Sequence, residues 1–240
     1  MLRTLEPCLL LTVLVAILQQ PAVVEITSEP SHHLVFQNDW VRVFNVLAPS
    51  RATTLIHRHN HDYAFVTLGD IEITNSRVGE APVQMVLKDG ETRFTKGGFA
   101  HSVTNTSDHP FHNITIELLK PSTSVHPCTD SCDIPVPCTS TKESCATARK
   151  VLESDQWIAV SVTLPPGGST GEHTHSGPHL AIAVTEINLK QKARNRPDNT
   201  THLAVGNTAW VEPVTHTIMN VSPQPAKLIA LEFKVPQTHP

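Results

Sequence analysis

Residues 56–63 read IHRHNHDY, and residues 172–179 read EHTHSGPH. Each stretch carries two histidines separated by one residue, and the two pairs lie 116 positions apart in the chain. The paired histidines are His57 and His59 in the first stretch and His173 and His175 in the second. Self-similarity at a fixed spacing is the sequence signature of a duplicated structural unit. We therefore start from the prediction that the chain contains one unit twice.

A second repeated pattern, a histidine followed four positions later by an asparagine, supports this duplication. It occurs at His101 and Asn105 and again at His216 and Asn220, 115 positions further along. Each asparagine falls near the end of a predicted hairpin, where its amide is expected to satisfy turn backbone. Flanking residues keep the same register, among them Glu117 and Glu232. One histidine cluster per unit is therefore expected.

Short segments of alternating, often β-branched residues recur through both halves of the chain. Turn signals such as Asp89-Gly90 and Gly97-Gly98 separate them at the spacing of an all-β sandwich or barrel. Nineteen prolines and the lack of a helical apolar period argue against long helices. Examples of the alternating segments are residues 41–46, 71–73, 114–117, 157–163, 180–184 and 228–231. We predict an all-β fold with two small antiparallel barrels in tandem.

Composition gives the predicted boundaries and excludes two classes of partner. We expect a first unit at 25–120, a connector rich in Cys, Pro, Ser and Thr at 121–149, and a second unit at 150–240. Each unit is expected to have its own core. The net charge is −4, with 18 basic and 22 acidic residues, and the sequence has no Lys/Arg cluster. Nucleic acid and anionic membrane surfaces are therefore not expected partners, and a homo-oligomer is left open.

Residues 1–24 resemble an export signal. Arg3 supplies a basic end, and residues 8–18 form an unbroken apolar run of eleven residues. A transmembrane helix needs about 20 residues, so this run suits the apolar region of a signal peptide better. The alternative is a membrane anchor that is retained at the N-terminus. We predict a secreted or periplasmic protein that has no membrane contact once the signal is removed.

The number and positions of the cysteines are consistent with export. Removal of the signal removes Cys8 and leaves four cysteines, all between Cys128 and Cys145. An even number of cysteines in an exported chain predicts disulfides, here two that staple the connector in one of three connectivities. The alternative is a four-thiolate zinc site, but zinc sites usually begin with tighter Cys-x2-Cys or Cys-x4-Cys spacings.

The histidine spacing predicts metal binding. On a β-strand, residues i and i+2 point to the same face, so the two histidines of each pair project together. A third ligand is expected from His101 in the first unit and from His216 in the second. Imidazole suits Zn, Cu, Fe and Ni. The alternative, histidines that hold no metal, is weakened because the pair and its distant partner recur in register.

These patterns resemble the two motifs of the cupin superfamily, G-x5-H-x-H-x3,4-E-x6-G and G-x5-P-x-G-x2-H-x3-N. In the second unit, Gly167, His173 and His175 follow the first motif, and His179 stands in the glutamate position. The resemblance covers most of 30–120 and 150–236. It implies a bicupin with two tandem cupin jelly-roll (double-stranded β-helix, or RmlC-like) barrels.

The first unit matches the second motif closely. Gly90, Gly98, His101 and Asn105 are in place, and Lys96 replaces only the proline. The resemblance therefore extends to both units.

Each unit also departs from the family pattern. In the first unit, Tyr63 stands in the glutamate position and Arg51 in a glycine position. In the second unit, Gly206 lies one residue out of register and Pro213 replaces a glycine. The carboxylate ligand of the family is therefore missing from both units. This loss counts against Mn²⁺ and favours Fe, Cu, Ni or Zn.

The resemblance carries over histidine ligands residue by residue. His179 is expected to replace the carboxylate as a fourth ligand, which makes the second site the stronger one. Tyr63 is expected to contact substrate or support a ligand, because phenolate ligation needs a large drop in its pKa. His61 is a spare ligand if its strand continues. The predicted ligands are His57, His59, His101, His173, His175, His179 and His216.

Cupins host many reactions, so the fold alone names none. Three or four neutral imidazoles leave open metal positions for dioxygen and an organic substrate. The first hypothesis is therefore an exported, metal-dependent oxygenase of the cupin dioxygenase type that acts on a small organic molecule. The second is a non-catalytic bicupin that binds a metal or a small molecule, because the metal motifs contain no Asp or Glu as general base.

Overall fold

The computed structural model describes residues 22–138 and 145–235. Apart from one 3₁₀ turn, η1 at Ile26–Ser28, the regular structure of these residues is β-strand, so the all-β prediction is confirmed. The predicted signal peptide lies outside the described residues except for positions 22–24. In the described part of the chain, no helix is long and apolar enough to span a membrane.

The first unit is a sandwich of two five-stranded sheets. One sheet has the order β1-β4-β9-β6-β7, and the other has the order β2-β3-β10-β5-β8. The strand order within each sheet alternates between early and late strands of the unit, as it does in a jelly roll. The strands are β1 Val24–Glu25, β2 His32–Gln37, β3 Val41–Ala48, β4 His57–His59, β5 Tyr63–Thr67, β6 Ile71–Arg77, β7 Val83–Leu87, β8 Thr92–Thr95, β9 Phe99–Asn105 and β10 Phe111–Leu118.

The second unit repeats this plan. Its sheets have the orders β11-β13-β14-β21-β16-β19, with β12 also on β13, and β15-β20-β17-β18. Strand β13 begins within the predicted connector, and both short connector strands pair with it. The strands are β11 His126–Pro127, β12 Asp133–Ile134, β13 Thr147–Glu153, β14 Trp157–Leu164, β15 His173–His175, β16 His179–Ala183, β17 Ile187–Ala193, β18 Asn199–Leu203, β19 Thr208–Val211, β20 Val214–Asn220 and β21 Ala226–Phe233. The predicted domain limits stay a prediction.

Alternation along the strands explains how the two units join. In β10, Thr115 and Glu117 face the interior of the first barrel, whereas Ile114 and Ile116 face outward. These outward residues pack in one buried cluster with Leu231 and Phe233 of β21 and their neighbours. Successive strand residues point to opposite faces, so the inward face of β10 lines the first barrel while its apolar outward face packs against the second. Each unit has its own core, as expected, and a third cluster lies between them.

All three tryptophans of the chain belong to this shared cluster. Trp157 is 1% exposed and lies within it, and Trp40 and Trp210 pack against it. Trp157 Nε1 donates a 2.9 Å hydrogen bond to Ser122 Oγ of the connector. Trp40 and Trp210 both contact the ring of Phe233, with centroids 5.2 and 5.6 Å away. Buried aromatic side chains of this kind are typical of stable cores and interfaces.

The connector is held by two disulfides, Cys128–Cys132 and Cys138–Cys145. The expectation of two connector disulfides is therefore confirmed, and the connectivity joins neighbours in sequence. Residues 139–144, between the second pair, lie outside the described residues.

Asn105 and Asn220 support turns, as expected from their positions. Asn105 Nδ2 donates to the carbonyls of Pro49 and His109, at 3.0 and 2.8 Å. Asn220 Nδ2 makes the matching bonds in the second unit. Both side chains are at most 1% exposed. Buried turn carbonyls need hydrogen-bond donors, and these two amides supply them where the backbone does not.

Candidate metal centres

The first histidine cluster lies inside the first barrel. His57 and His59 are two positions apart on β4, so both side chains face the interior of the barrel. His101 lies directly opposite His57 on the antiparallel strand β9. All three side chains are at most 4% exposed. His59 Nε2 and His101 Nε2 are 3.1 Å apart, and the rings of His57 and His101 are 4.5 Å apart. The local strand pairing thus brings together the three histidines that the sequence predicts.

The outer nitrogens of two of these rings have fixed partners. His57 Nδ1 lies 2.9 Å from the carbonyl of Leu55, and His101 Nδ1 lies 2.8 Å from Asn75 Oδ1. These contacts leave Nε2 of each ring directed toward the cluster. His57 Nε2 is buried and has no hydrogen-bond partner. A buried polar atom without a partner costs free energy, and a metal ion at this point would satisfy it.

Tyr63 is the first residue of β5 and stacks on His59, with ring centroids 4.1 Å apart. Burial raises the pKa of Tyr63 to about 12, although a hydrogen bond with Thr95 acts in the opposite direction. The phenol is therefore protonated at neutral pH, in keeping with a supporting role. His61 lies beyond the end of β4 and is not among the residues that line the cavity of this barrel. Its role as a spare ligand stays a prediction.

A carboxylate lies behind His59. Glu117 is 0% exposed, and its Oε1 is 3.9 Å from His59 Nδ1 while its Oε2 is 2.6 Å from an Arg42 guanidinium nitrogen. Burial raises the pKa of Glu117 to about 7, although the nearby Arg42 acts in the opposite direction. At 3.9 Å the carboxyl group lies close to His59 without a hydrogen bond to it, and His59 Nδ1 is buried without a hydrogen-bond partner.

The second cluster has the same plan in the second barrel. His173 and His175 lie on β15, and His216 lies opposite His173 on β20. His173 Nε2 is 3.1 Å from both His175 Nε2 and His216 Nε2. One ligand nitrogen from each of the three residues lies within 4.8 Å of the others. The second predicted triad is therefore also brought together.

Two further groups adjoin this second triad. His179 begins β16 and lines the cavity, and its ring lies 4.2 Å from that of His175 with a tilt of 32°. Its Nδ1 is buried and has no hydrogen-bond partner. Glu232 comes from β21, and its Oε2 lies 3.2 Å from His175 Nδ1. The carboxylate holds the outer proton of His175, which leaves Nε2 free to act as a ligand. Ligation by His179 stays a prediction.

Burial favours the neutral form of several cluster histidines. Together with neighbouring histidines, it lowers the pKa of His57 to about 4 and that of His101 to about 3. In the second barrel, the same two causes lower the pKa of His179 to about 3 and that of His216 to about 4. Neutral imidazole is the form that binds a metal. The donor set therefore fits a divalent transition metal in both barrels.

The two barrels differ in the space beside the triad. The first encloses a cavity of about 70 Å³, whereas the second encloses about 310 Å³. Phe65 lines the first cavity, and the residue at the matching position of the second is Ala181, 116 positions later. Connector residues from Ile134 to Pro137 form part of the second cavity wall, which is otherwise mostly aliphatic. Of these two cavities, formed by residues that the structure describes, the larger one has room for an organic molecule next to its histidines.

Several residues of the sites were missed by sequence reasoning. The two carboxylates, Glu117 and Glu232, keep the 115-residue register of the repeat, and that signal could have identified them. His32 and Glu29 lie outside the repeated motifs, in a part of the fold that only the tertiary structure brings to the first triad. The motifs contain no general base, but β21 supplies a carboxylate to the second site.

Comparison with known proteins bears on the fold alone. No family model and no curated protein matches the chain. AerE from Microcystis aeruginosa is 13% identical over 86% of this chain and 99% of its own, with a TM-score of 0.58. A variant of oxalate decarboxylase from Bacillus subtilis is 11% identical over 80% of this chain and 68% of its own, with a TM-score of 0.55. A structure of the same enzyme that was studied for its Mn(II) centres gives 11%, the same coverages and 0.56. As the motifs predicted, the chain has the fold of a bicupin, with two cupin barrels in tandem.

Proposed function

We propose that the chain is an exported metalloprotein that binds a divalent transition metal in each barrel, and that its second barrel is a dioxygenase for a small, largely apolar organic molecule. One observation carries the proposal. The triad of His173, His175 and His216 faces a cavity of about 310 Å³ whose walls are mostly aliphatic. Pockets that hold small molecules have volumes of roughly 300 to 1,000 Å³ and combine apolar walls with a few polar groups.

Different residues of the second barrel have different roles in the proposed reaction. Glu232 holds a proton at His175 Nδ1, so that Nε2 is oriented toward the metal position. The aliphatic walls exclude water and bind the carbon skeleton of the substrate. A bound metal would supply Lewis acidity and redox chemistry toward dioxygen. Both oxygen atoms enter the substrate, which is oxidised by four electrons as dioxygen is reduced by four, so no separate reductant is needed.

The donor set supports Fe, Cu, Ni or Zn over Mn, because the grouped ligand atoms are imidazole nitrogens. Of these metals, Fe and Cu have the redox chemistry that the dioxygenase hypothesis requires. The Mn(II) of the oxalate decarboxylase structure belongs to that protein. Elemental analysis of the purified chain, with metal counted per chain, tests both the identity of the metal and the number of sites.

Export is supported by the apolar run at 8–18 and by the two connector disulfides, which are typical of oxidising compartments. Expression of the full chain in a secreting host tests this part of the proposal. Mass spectrometry of the medium is expected to show a chain that begins near residues 20–25. A chain found only in the membrane fraction with residue 1 retained would contradict export.

The test of the dioxygenase hypothesis uses the metal-loaded, full-length protein. A panel of monocyclic phenols, enols and 1,3-diketones is incubated with ¹⁸O₂, and oxygen uptake and product mass are measured. Incorporation of two ¹⁸O atoms is expected for at least one compound, and the His173→Ala variant is expected to abolish it. The His202→Ala variant, at an exposed histidine on β18 that does not line the cavity, serves as the matched control and is expected to retain turnover.

The second hypothesis, a binding protein without catalysis, is favoured by the imidazole of His179. If His179 is a fourth ligand, fewer metal positions remain for dioxygen and substrate together. Saturable binding of panel compounds without oxygen uptake, with either Fe or Cu, would establish this hypothesis and contradict the dioxygenase.

A further inference from the structure

His32 lies in the first barrel beside the triad, although it belongs to neither repeated motif. Its ring centroid is 4.5 Å from that of His57 and 6.3 Å from that of His59. A ligand nitrogen from each of these three residues lies within 4.8 Å of the others. His32 begins β2, which belongs to the sheet opposite β4 and β9. His32, His57 and His59 therefore approach one point from both sheets of the barrel, and His101 lies opposite His57 beside this group.

A buried carboxylate fixes the orientation of His32. Glu29 is 3% exposed, and its Oε2 lies 2.6 Å from His32 Nδ1. Backbone N–H groups of Ser31 and Leu55 donate to the same carboxylate at 2.8 and 3.1 Å. The carboxylate is thus held rigidly and keeps a proton on Nδ1, which leaves Nε2 of His32 for the triad. Metal-ligating histidines commonly have such a carboxylate behind them.

We propose that His32 is a fourth imidazole ligand in the first barrel and that Glu29 positions it. This inference rests on the proposed metal binding by that barrel. Four imidazoles and a cavity of only about 70 Å³ leave no room for an organic substrate. The first centre is then a closed, structural site that ties the two sheets of the barrel together, as structural metal sites do.

The second barrel lacks this ligand. His32 pairs with Val46 between β2 and β3, and Ala148 pairs with Val162 between β13 and β14. Both residues of the second pair lie 116 positions after those of the first, so Ala148 occupies the place of His32. Ala148 lines the larger cavity. The repeat thus has a ligand at this position in one barrel and open space in the other.

The experiment measures metal in the first barrel alone. The full chain carries His173→Ala and His216→Ala to remove the second triad, and Zn²⁺ affinity is measured by chelator competition. In this background, His32→Phe retains a ring but loses the nitrogens. It is expected to weaken Zn²⁺ binding at least tenfold and to change the visible Co²⁺ absorption, which depends on coordination number. The matched control is His33→Phe, because His33 is the exposed neighbour on the same strand.

The outcomes separate the two proposals. If the background protein binds Zn²⁺ and His32→Phe binds as tightly as His33→Phe, the ligand role of His32 is overturned while the metal site stands. If the background protein binds no Zn²⁺, metal binding by the first barrel fails and this inference fails with it. If His32→Phe does not fold by circular dichroism, Glu29→Gln decides the matter. A roughly 10- to 100-fold loss supports the inference, and unchanged affinity overturns it.

Discussion

Tyr63 stacks on His59 with an interplanar angle of 19° and ring centroids 4.1 Å apart. The phenol therefore supports the face of a predicted ligand. Because burial raises the pKa of Tyr63 to about 12, ligation as phenolate is disfavoured at neutral pH. We expect Tyr63→Phe to leave Zn²⁺ affinity in the first barrel within about threefold of the wild type, since the stacked ring is retained. Chelator competition provides the measurement, and loss of the metal would show that the phenol is a ligand.

Glu232 provides a second prediction, because its carboxylate lies 3.2 Å from His175 Nδ1. Replacement by Gln removes the charge that holds the outer proton of this histidine. We expect Glu232→Gln to weaken metal binding by the second barrel roughly 10- to 100-fold, as loss of such partners does elsewhere. The exposed Glu212, which bonds Trp210, provides the control Glu212→Gln. Equal affinities in the two variants would show that Glu232 does not orient His175.

The third prediction concerns His179, whose nearest ring is that of His175. Its buried Nδ1 has no partner, and its pKa is lowered to about 3 by burial first and then by all three members of the triad. If it is a fourth ligand, His179→Ala should weaken metal binding at least tenfold. His202→Ala, on exposed β18, is the control. Unchanged metal content after dialysis would show that His179 only packs against His175.

The repeat in the sequence predicts much of the fold and both triads. The spacing of His57 and His59, with His101 downstream, suffices because strand geometry puts alternate residues on one face and the motif resemblance supplies the third partner. The two disulfides also follow from the sequence, although the sequence does not show which cysteines pair. Local pattern and spacing thus account for the parts of each site that lie within one repeated motif.

Tertiary placement accounts for what the sequence could not show. His32 reaches the triad only because β2 lies in the facing sheet, and no spacing rule predicts which residues of two sheets meet. The size of the second cavity follows from small changes such as Ala148 and Ala181, whose effect depends on what surrounds them. The shared core between the barrels could not be predicted either. In the sequence, the apolar residues around Ile116 are typical of any strand and do not show that they contact the other barrel.

The fourth prediction is that the metal-free protein loses stability in mild acid. In the unfolded chain, histidine titrates near pH 6.5, whereas burial lowers the folded-state pKa of His57 and His216 to about 4 and that of His101 and His179 to about 3. Below pH 6.5 the unfolded state therefore binds more protons than the folded state. Stability is fully present above that pH and falls progressively toward pH 3–4.

The expected loss is large, since one unit of pKa shift corresponds to about 1.4 kcal/mol and domains are stable by only about 5–15 kcal/mol. Glu117 acts in the opposite direction, because burial raises its pKa to about 7. Urea unfolding at pH 7.5 and pH 5, followed by circular dichroism, is expected to give a clearly lower free energy of unfolding at pH 5. Equal values at the two pH values would mean that the histidines are protonated in the folded state.

The fifth prediction is that the two barrels unfold together. Ile116 is 1% exposed and faces the cluster that both barrels share, so its truncation leaves a cavity at their contact. We expect Ile116→Ala to lower the free energy of unfolding by about 2–5 kcal/mol. Val86, which is 63% exposed, provides the control Val86→Ala, with an expected change below about 0.5 kcal/mol.

Because all three tryptophans lie at this contact, their fluorescence reports on its separation, whereas circular dichroism reports on the strands of both barrels. A single cooperative unit requires the two signals to change at the same denaturant concentration. In Ile116→Ala, we expect both transitions to move together to lower urea concentration, with unchanged slope. A fluorescence change that precedes the loss of strand signal would show that the barrels first separate and then unfold on their own cores. The shared cluster would then join two independently stable domains and not complete either one.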